Sequence, residues 1–193
     1  MNIWQKIISS LLALILIFIM ISFLLPSKIQ IQTKTTIQAP HEIVHRQITH
    51  PRHWYNWIAW FPHSGSLDLK FEGYPTGAGS VIIWKNAKNF PDGQVLIYKI
   101  SFDSIYTFLN IHRVGFGNLN FSVKSINPNV TELDCSYSVE TGFNPFQRYF
   151  VFFNQKKLES QITNSISELK NISEKIASKI KPQTLESYPS FEQ

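Results

Sequence analysis

The sequence predicts an α+β fold: a seven-stranded antiparallel sheet covered on one face by a long C-terminal helix, preceded by one N-terminal transmembrane helix. Three observations predict it. An uncharged apolar run opens the chain, a series of strand-like segments alternates with turn residues, and a stripe of apolar residues at steps of three and four closes it.

The apolar run extends from Ile7 to Leu25, "IISSLLALILIFIMISFLL". At 1.5 Å per residue such a helix is about 28 Å long, close to the roughly 30 Å hydrocarbon core of a bilayer. A cleaved signal peptide has a shorter apolar region and a small-residue cleavage site. Here the run ends "FLLPSKIQ", with no A-x-A pattern and no nearby cysteine to take a lipid, so residues 1–27 read as an uncleaved membrane anchor. Lys6 precedes the span, and Lys28 and Lys34 follow it, so the charge bias across it is nearly balanced. A signal-anchor reading puts the amino terminus inside and the domain outside.

Residues 28–181 suffice for one domain with a real core, and 182–193 read as a flexible tail. The first strand, "KIQIQTKTTIQAP", sets Ile29, Ile31, Thr33, Thr35 and Ile37 against Lys28, Gln30, Gln32, Lys34 and Gln38. Pro40 suits a first helical turn, "HEIVHRQI" follows as a short helix, and Pro51 ends it. Six further strands follow: "SLDLKFEGY", "GAGSVIIWKN", "DGQVLIYKISF", "SIYTFLNIHRV", "GNLNFSVKSI" and "VTELDCSYSVE". Turn residues at hairpin spacing separate them. In the last, Leu133, Cys135, Tyr137 and Val139 oppose five polar residues, as on a sheet covered on one side. Asn144 and Pro145 open the long helix, whose stripe is Leu158, Ile162, Ile166, Leu169, Ile172 and Ile176.

In this order the pieces resemble the SRPBCC superfamily, the START-related helix-grip fold that includes polyketide cyclase/dehydrase-like proteins and plant pollen allergens. The resemblance is carried by "TIQAPHEIVHRQI", "HWYNWIAW", "EGYPTGAGSVIIW" and the closing helix, over residues 28 to 175. Membrane-anchored bacterial members are also similar at "LPSKIQIQ". It implies a curved sheet gripping the helix around an apolar cavity, and a single-pass protein of the bacterial inner membrane. Members bind lipids, sterols, polyketides or other hydrophobic ligands, and a minority catalyse reactions on them. His45 departs from the pattern, standing where similar sequences carry a large apolar residue.

The formal charge of +5 is spread along the chain without an arginine-rich run, which argues against nucleic acid as a partner. Beside a bilayer it favours anionic headgroups, so membrane lipid is an expected partner. The single cysteine, Cys135, excludes an internal disulfide and most thiolate metal sites. His41, His45, His50, His53 and His63 crowd one region, but H-x-x-x-H without an interposed glutamate base is not the metalloprotease pattern, and no metal or other cofactor is expected. "GAG" at Gly77–Gly79 precedes a strand, not a helix, and reads as a turn.

The segment "HPRHWYNWIAWFPHSG" spaces Trp54, Trp57 and Trp60 by three. A metal site, a membrane-surface anchor and a pocket wall are the candidate explanations. The third fits best, with Trp57 as core or cavity wall and Trp54 and Trp60 as a partly exposed rim. Parity puts Ile82 and Trp84, then Leu96, Tyr98 and Ile100, then Phe121, then Cys135 and Tyr137 on the inner face, opposed by Phe146, Phe150 and Phe153 of the long helix. The expected ligand-binding set is Trp57, Trp84, Tyr98, Phe121, Tyr137 and Phe150, serving a hydrophobic or amphipathic small molecule, lipid or polyketide-like. A cyclase/dehydrase-type enzyme and a packed protein-interaction domain are the alternatives, and no catalytic residue is assigned.

Overall fold

In the computed structural model, which describes residues 2–61, 67–87 and 90–180, the uncharged run forms α1, Ile3–Leu24. Pro26, unable to continue a helix, follows it. Apart from Ser22, its side chains are exposed or partly exposed. Long enough and apolar enough to cross a bilayer, α1 leads directly into β1, Lys28–Ile37.

Next come α2 (His41–Thr49), a 3₁₀ turn (Pro51–His53) and α3 (Trp54–Trp57). The strands β2 (Asp68–Gly73), β3 (Ser80–Lys85), β4 (Gly93–Ile100), β5 (Ser104–Ile111), β6 (Gly115–Asn127) and β7 (Val130–Glu140) then form a meander. The sheet order is β1-β7-β6-β5-β4-β3-β2, every pair antiparallel. The last element, α4, runs from Pro145 to Ile180 across the inner face. This is the α+β architecture expected from the sequence: seven antiparallel strands packed on a long C-terminal helix. The expected tail, 182–193, and His63 lie outside the described residues.

Strict alternation survives where one face is covered. β7 buries Thr131, Leu133, Cys135, Tyr137 and Val139, and β1 buries Ile29, Ile31 and Ile37. On β4 the expected parity is corrected. Val95 and Ile97 are buried, while Tyr98 stands half exposed on the outer face beside Tyr106. A bulge between Ile97 and Lys99 inserts one residue, so the strand faces inward at Val95 and Ile97 and again at Ile100, opposite buried Ile105. Between β5 and β6 the ladder is interrupted, and Thr107 closes the gap: its Oγ1 donates to Leu119 O at 2.8 Å and accepts from Leu119 N at 3.1 Å.

The long helix also departs from expectation in its first turns. Phe146 and Phe153 are 72% and 76% exposed, while Arg148 and Val151 are buried in their place. From Leu158 onward the buried stripe follows the predicted steps through Ile162, Ile166 and Leu169. It then shifts by one residue to Ser173 and Ala177, leaving Ile172 and Ile176 half-buried.

A candidate ligand groove at the α1 end of the sheet

All three closely spaced tryptophans are buried, which corrects the expectation of an exposed rim at Trp54 and Trp60. The last carbonyls of a helix lack intrahelical donors, and two indoles serve those of α2. Trp54 Nε1 donates to Ile48 O at 2.7 Å and Trp57 Nε1 to Gln47 O at 3.2 Å. Phe121 of β6 meets both rings edge-on, with centroids 6.1 Å away. Ser165 of α4 then ties the segment down, its Oγ accepting from Ala59 N at 2.9 Å.

Trp60 belongs to a second aromatic cluster with Phe61, Trp84 and Phe90. It stacks on Phe90 at 4.7 Å, and Trp84 Nε1 donates to Pro91 O at 2.8 Å. Gly93, paired with Trp84 across the β3–β4 ladder, gives that indole its room, since a Cβ there would lie 2.6 Å from the ring. Of the expected ligand-binding residues, Trp84, Phe121 and Tyr137 are therefore buried on the inner face of the sheet, Trp57 is buried on α3, Phe150 is half-buried on α4, and Tyr98 faces away. Two polar atoms in this interior, the Tyr137 hydroxyl and Trp60 Nε1, are buried without a hydrogen-bond partner among the described residues. Burial pushes the Tyr137 pKa well up, so the hydroxyl stays protonated and able to donate. The Cys135 thiol is pushed up for the same reason and is inert.

Two of the histidines, His41 and His45, are tethers. The ring of His41 stacks on Phe102 at 4.5 Å, with Nε2 2.9 Å from Phe102 O, and His45 Nε2 lies 3.3 Å from Ser101 O. Both rings fasten α2 to the β4–β5 turn. Burial holds the His45 pKa below its ordinary value, against the opposing effect of the Ser101 carbonyl. His50 and His53 stack on each other at 5.1 Å. Among the described residues no three His, Cys, Asp or Glu side chains converge as metal ligands, and none of the buried polar residues is a carboxylate.

The concavity that the sequence reading missed lies beside the aromatic clusters. Between α4 and the turns joining β3 to β4 and β5 to β6 is a groove of about 520 Å³, bounded by Phe90, His112, Arg113, Phe150, Asn154 and Lys157. A second hollow of about 370 Å³ adjoins it, sharing His112, Arg113 and Phe150 and adding Phe146 and Gln147. Phenylalanines form the apolar side, and Arg113 and Lys157 supply cations at the rim. Asp92, also at the rim, is engaged in accepting a hydrogen bond from Asn86 N at 2.8 Å. Arg113 sits at the apex of its turn with φ 64°. The signals in the sequence were the turn "HRVG" and the lysine pair after "FQRYFVFF", but nothing local in the chain announces that they meet.

This groove is at the end of the sheet where α1 joins β1. Lys28 of β1 pairs with Glu140 of β7, and Glu140 with Phe116 of β6. The ladder continues from Gly115 to Ile111 and from Ile111 to Gly93, so the β5–β6 turn and the start of β4 share that end.

No protein-family model matches the sequence, and no curated protein matches it. Solved structures do. Norcoclaurine synthase from Thalictrum flavum, in a point mutant bound to a transition-state analogue, is similar at 13% identity and TM-score 0.57, over 80% of this chain and 96% of that one. The Aha1 dimer from Colwellia psychrerythraea is similar at 14% identity and TM-score 0.54, over 76% and 96%. A conserved protein of unknown function from Enterococcus faecalis is similar at 15% identity and TM-score 0.53, over 86% and 78%. At these identities the likeness establishes the fold.

Proposed function

We propose, starting from the helix-grip fold that the chain shares with the SRPBCC superfamily, that it is a membrane-tethered module binding one hydrophobic or amphipathic small molecule. Residues 1–27 serve as the tether and 28–181 as the binding domain. The ligand lies in the groove beside α4, its apolar part against Phe90, Phe146 and Phe150 and its polar end toward Arg113 and Lys157. The observation that carries this reading is the pairing of an apolar floor with a cationic rim in one concavity. Such a surface selects an amphiphile with an anionic head over a purely apolar ligand.

The expected interior residues take a supporting role. Trp84 backs Phe90 at 6.4 Å, while Trp57 and Phe121 pack on each other in the neighbouring aromatic cluster. The Tyr137 hydroxyl and the Trp60 indole nitrogen are buried and unpartnered among the described residues, and neither residue lines the groove. Tyr98, on the outer face, has no part in this site. The energetics are adequate: burying ~330 Å² of apolar ligand surface gives about 8 kcal/mol, the free energy of micromolar binding. A fatty-acid-sized chain carries more area than that, which offsets the cost of immobilising it.

The test is native mass spectrometry of the detergent-extracted chain, for a co-purified amphiphile, with titration by the anionic fluorophore anilinonaphthalene sulfonate. Saturable binding at one site is expected, weakened roughly tenfold by Arg113→Glu with Lys157→Glu. Unsaturable binding, or affinity indifferent to both reversals, would count against the groove. The tether is tested separately by a carbonate wash, after which the protein should remain in the membrane pellet at full mass.

A further inference from the structure

The first turns of α4 carry the sequence "FQRYFVFF", yet they leave much of it uncovered. Phe143 and Phe152 are exposed, as are Phe146 and Phe153. Phe146, Phe152 and Phe153 form a continuous row with Tyr149 and with Phe18 of α1. Phe18 stacks on Tyr149 at 4.5 Å and touches Phe146 at 5.6 Å; Tyr149 stacks on Phe153 at 6.3 Å, and Phe153 meets Phe152 at 5.4 Å. The helices are bonded as well as stacked. The Tyr149 hydroxyl donates to Phe18 O at 3.0 Å, and Arg148 donates from Nη1 to Ser22 O at 3.3 Å and from Nε to Gly142 O at 2.9 Å.

That contact sets a depth. Phe18 precedes Leu25, the end of the apolar run, by about 10 Å of helix. If α1 spans the bilayer, groups touching Phe18 lie below the polar surface, at the level where amphipathic interfacial helices seat their apolar side. The charges agree with such a placement. Arg148, the one cation in the aromatic run, is buried, bonded to two carbonyls and lies over the Phe23 ring at 5.1 Å. The next cations, Lys156 and Lys157, come only after the run ends, and Lys28 marks the exit of α1. Phe116, also exposed, stands at the same end of the sheet, opposite Glu140.

We propose that the aromatic leading edge of α4, Phe146, Tyr149, Phe152 and Phe153 with Phe143 beside it, is seated in the lipid leaflet next to α1, docking the mouth of the groove on the membrane surface. The occupant of this face is lipid acyl chain, with headgroups at the level of Lys28, Lys156 and Lys157. The domain is then held against the bilayer in one orientation, and an amphiphile enters the groove laterally from the leaflet without crossing water. The inference rests on the anchor reading and adds to the ligand reading a source for the ligand.

The experiment uses the full chain in vesicles of phosphatidylcholine and phosphatidylglycerol. A nitroxide is attached at Phe146→Cys, Phe153→Cys, Leu14→Cys in the anchor or Thr163→Cys on the exposed side of α4, and its collision with oxygen is compared with that of an aqueous nickel chelate. Buried Cys135 stays unlabelled. The expected result is an oxygen-to-nickel ratio several-fold higher at 146 and 153 than at 163, approaching that at 14. Lipid exposure at 14 with nickel access at 153 equal to that at 163 overturns the docking and leaves the anchor standing. Nickel access at 14 overturns both. Shielding of 146 and 153 from both reagents means that a protein, a second copy or another partner, covers the face, and equally overturns the lipid assignment.

Discussion

Replacing Tyr137 by phenylalanine removes one oxygen atom from the middle of β7 and leaves the ring in place. The side chain is 1% exposed, between Ile31 on β1 and Leu119 on β6, and its hydroxyl has no partner among the described residues. Leaving a buried polar group unbonded costs about 1–3 kcal/mol, so Tyr137→Phe should stabilise the ligand-free protein by about 1 kcal/mol. Thr131, earlier on the same strand, is the control. Its Oγ1 donates to Ala39 O at 2.7 Å in an equally buried setting. Thr131→Val keeps the shape but strips that carbonyl of its donor, for an expected loss of about 1–3 kcal/mol. In a domain of this size 1 kcal/mol moves Tm by roughly 2–4 °C, so the two variants should separate by at least about 4 °C. Thermal unfolding followed by circular dichroism in mild detergent measures this. The same Tyr137→Phe protein should bind anilinonaphthalene sulfonate with unchanged affinity, because this buried side chain lines neither hollow of the groove. A Tyr137→Phe protein that loses as much stability as Thr131→Val would refute the reasoning, because the hydroxyl would then be bonded in the folded state. Affinity lowered severalfold would show that the ligand reaches past the groove to Tyr137.

Two further outcomes follow from the geometry. Burial lowers the pKa values of His45 and His50, each aided by a neighbouring histidine, so the unfolded chain takes up protons first on acidification; stability present above the ordinary imidazole pKa of about 6.5 should be lost as pH falls through it. Tm should therefore fall with acidification, less steeply in His45→Gln, and a Tm that rises would contradict the assignment. Arg148→Met keeps the stem but removes the hydrogen bond to Gly142 in the turn before α4 and the one to Ser22, and loss of the latter costs the α1–α4 contact about 1.5–3 kcal/mol. Trypsin should then cut faster at Lys28, and a junction as resistant as the original would show that Arg148 does not hold it.

Much of the architecture is written locally. Strict alternation in β1 and β7 needs only that one face be covered, and the apolar run of α1 and the stripe from Leu158 to Leu169 need only a helical period. These elements, their order and hence the fold were legible in the sequence, as was the inward side of Trp84, Phe121 and Tyr137. Tertiary structure decided the rest. The bulge after Ile97 depends on pairing with β5, and no residue within "VLIYKI" announces it, so Tyr98 went to the wrong face. Trp54 and Trp60 are buried because α2 carbonyls and Phe90 meet them across the fold. The first turns of α4 are apolar nearly all round, and periodicity assigns no inner side to such a segment; contact with Phe18 and Ser22 of α1 fixes which side is covered. The groove joins Phe90, Arg113 and Lys157, three residues far apart in the chain. Side-chain pattern reports how a segment meets its own cover, whereas a concavity arises from the spacing between elements, which the chain specifies only once it is folded.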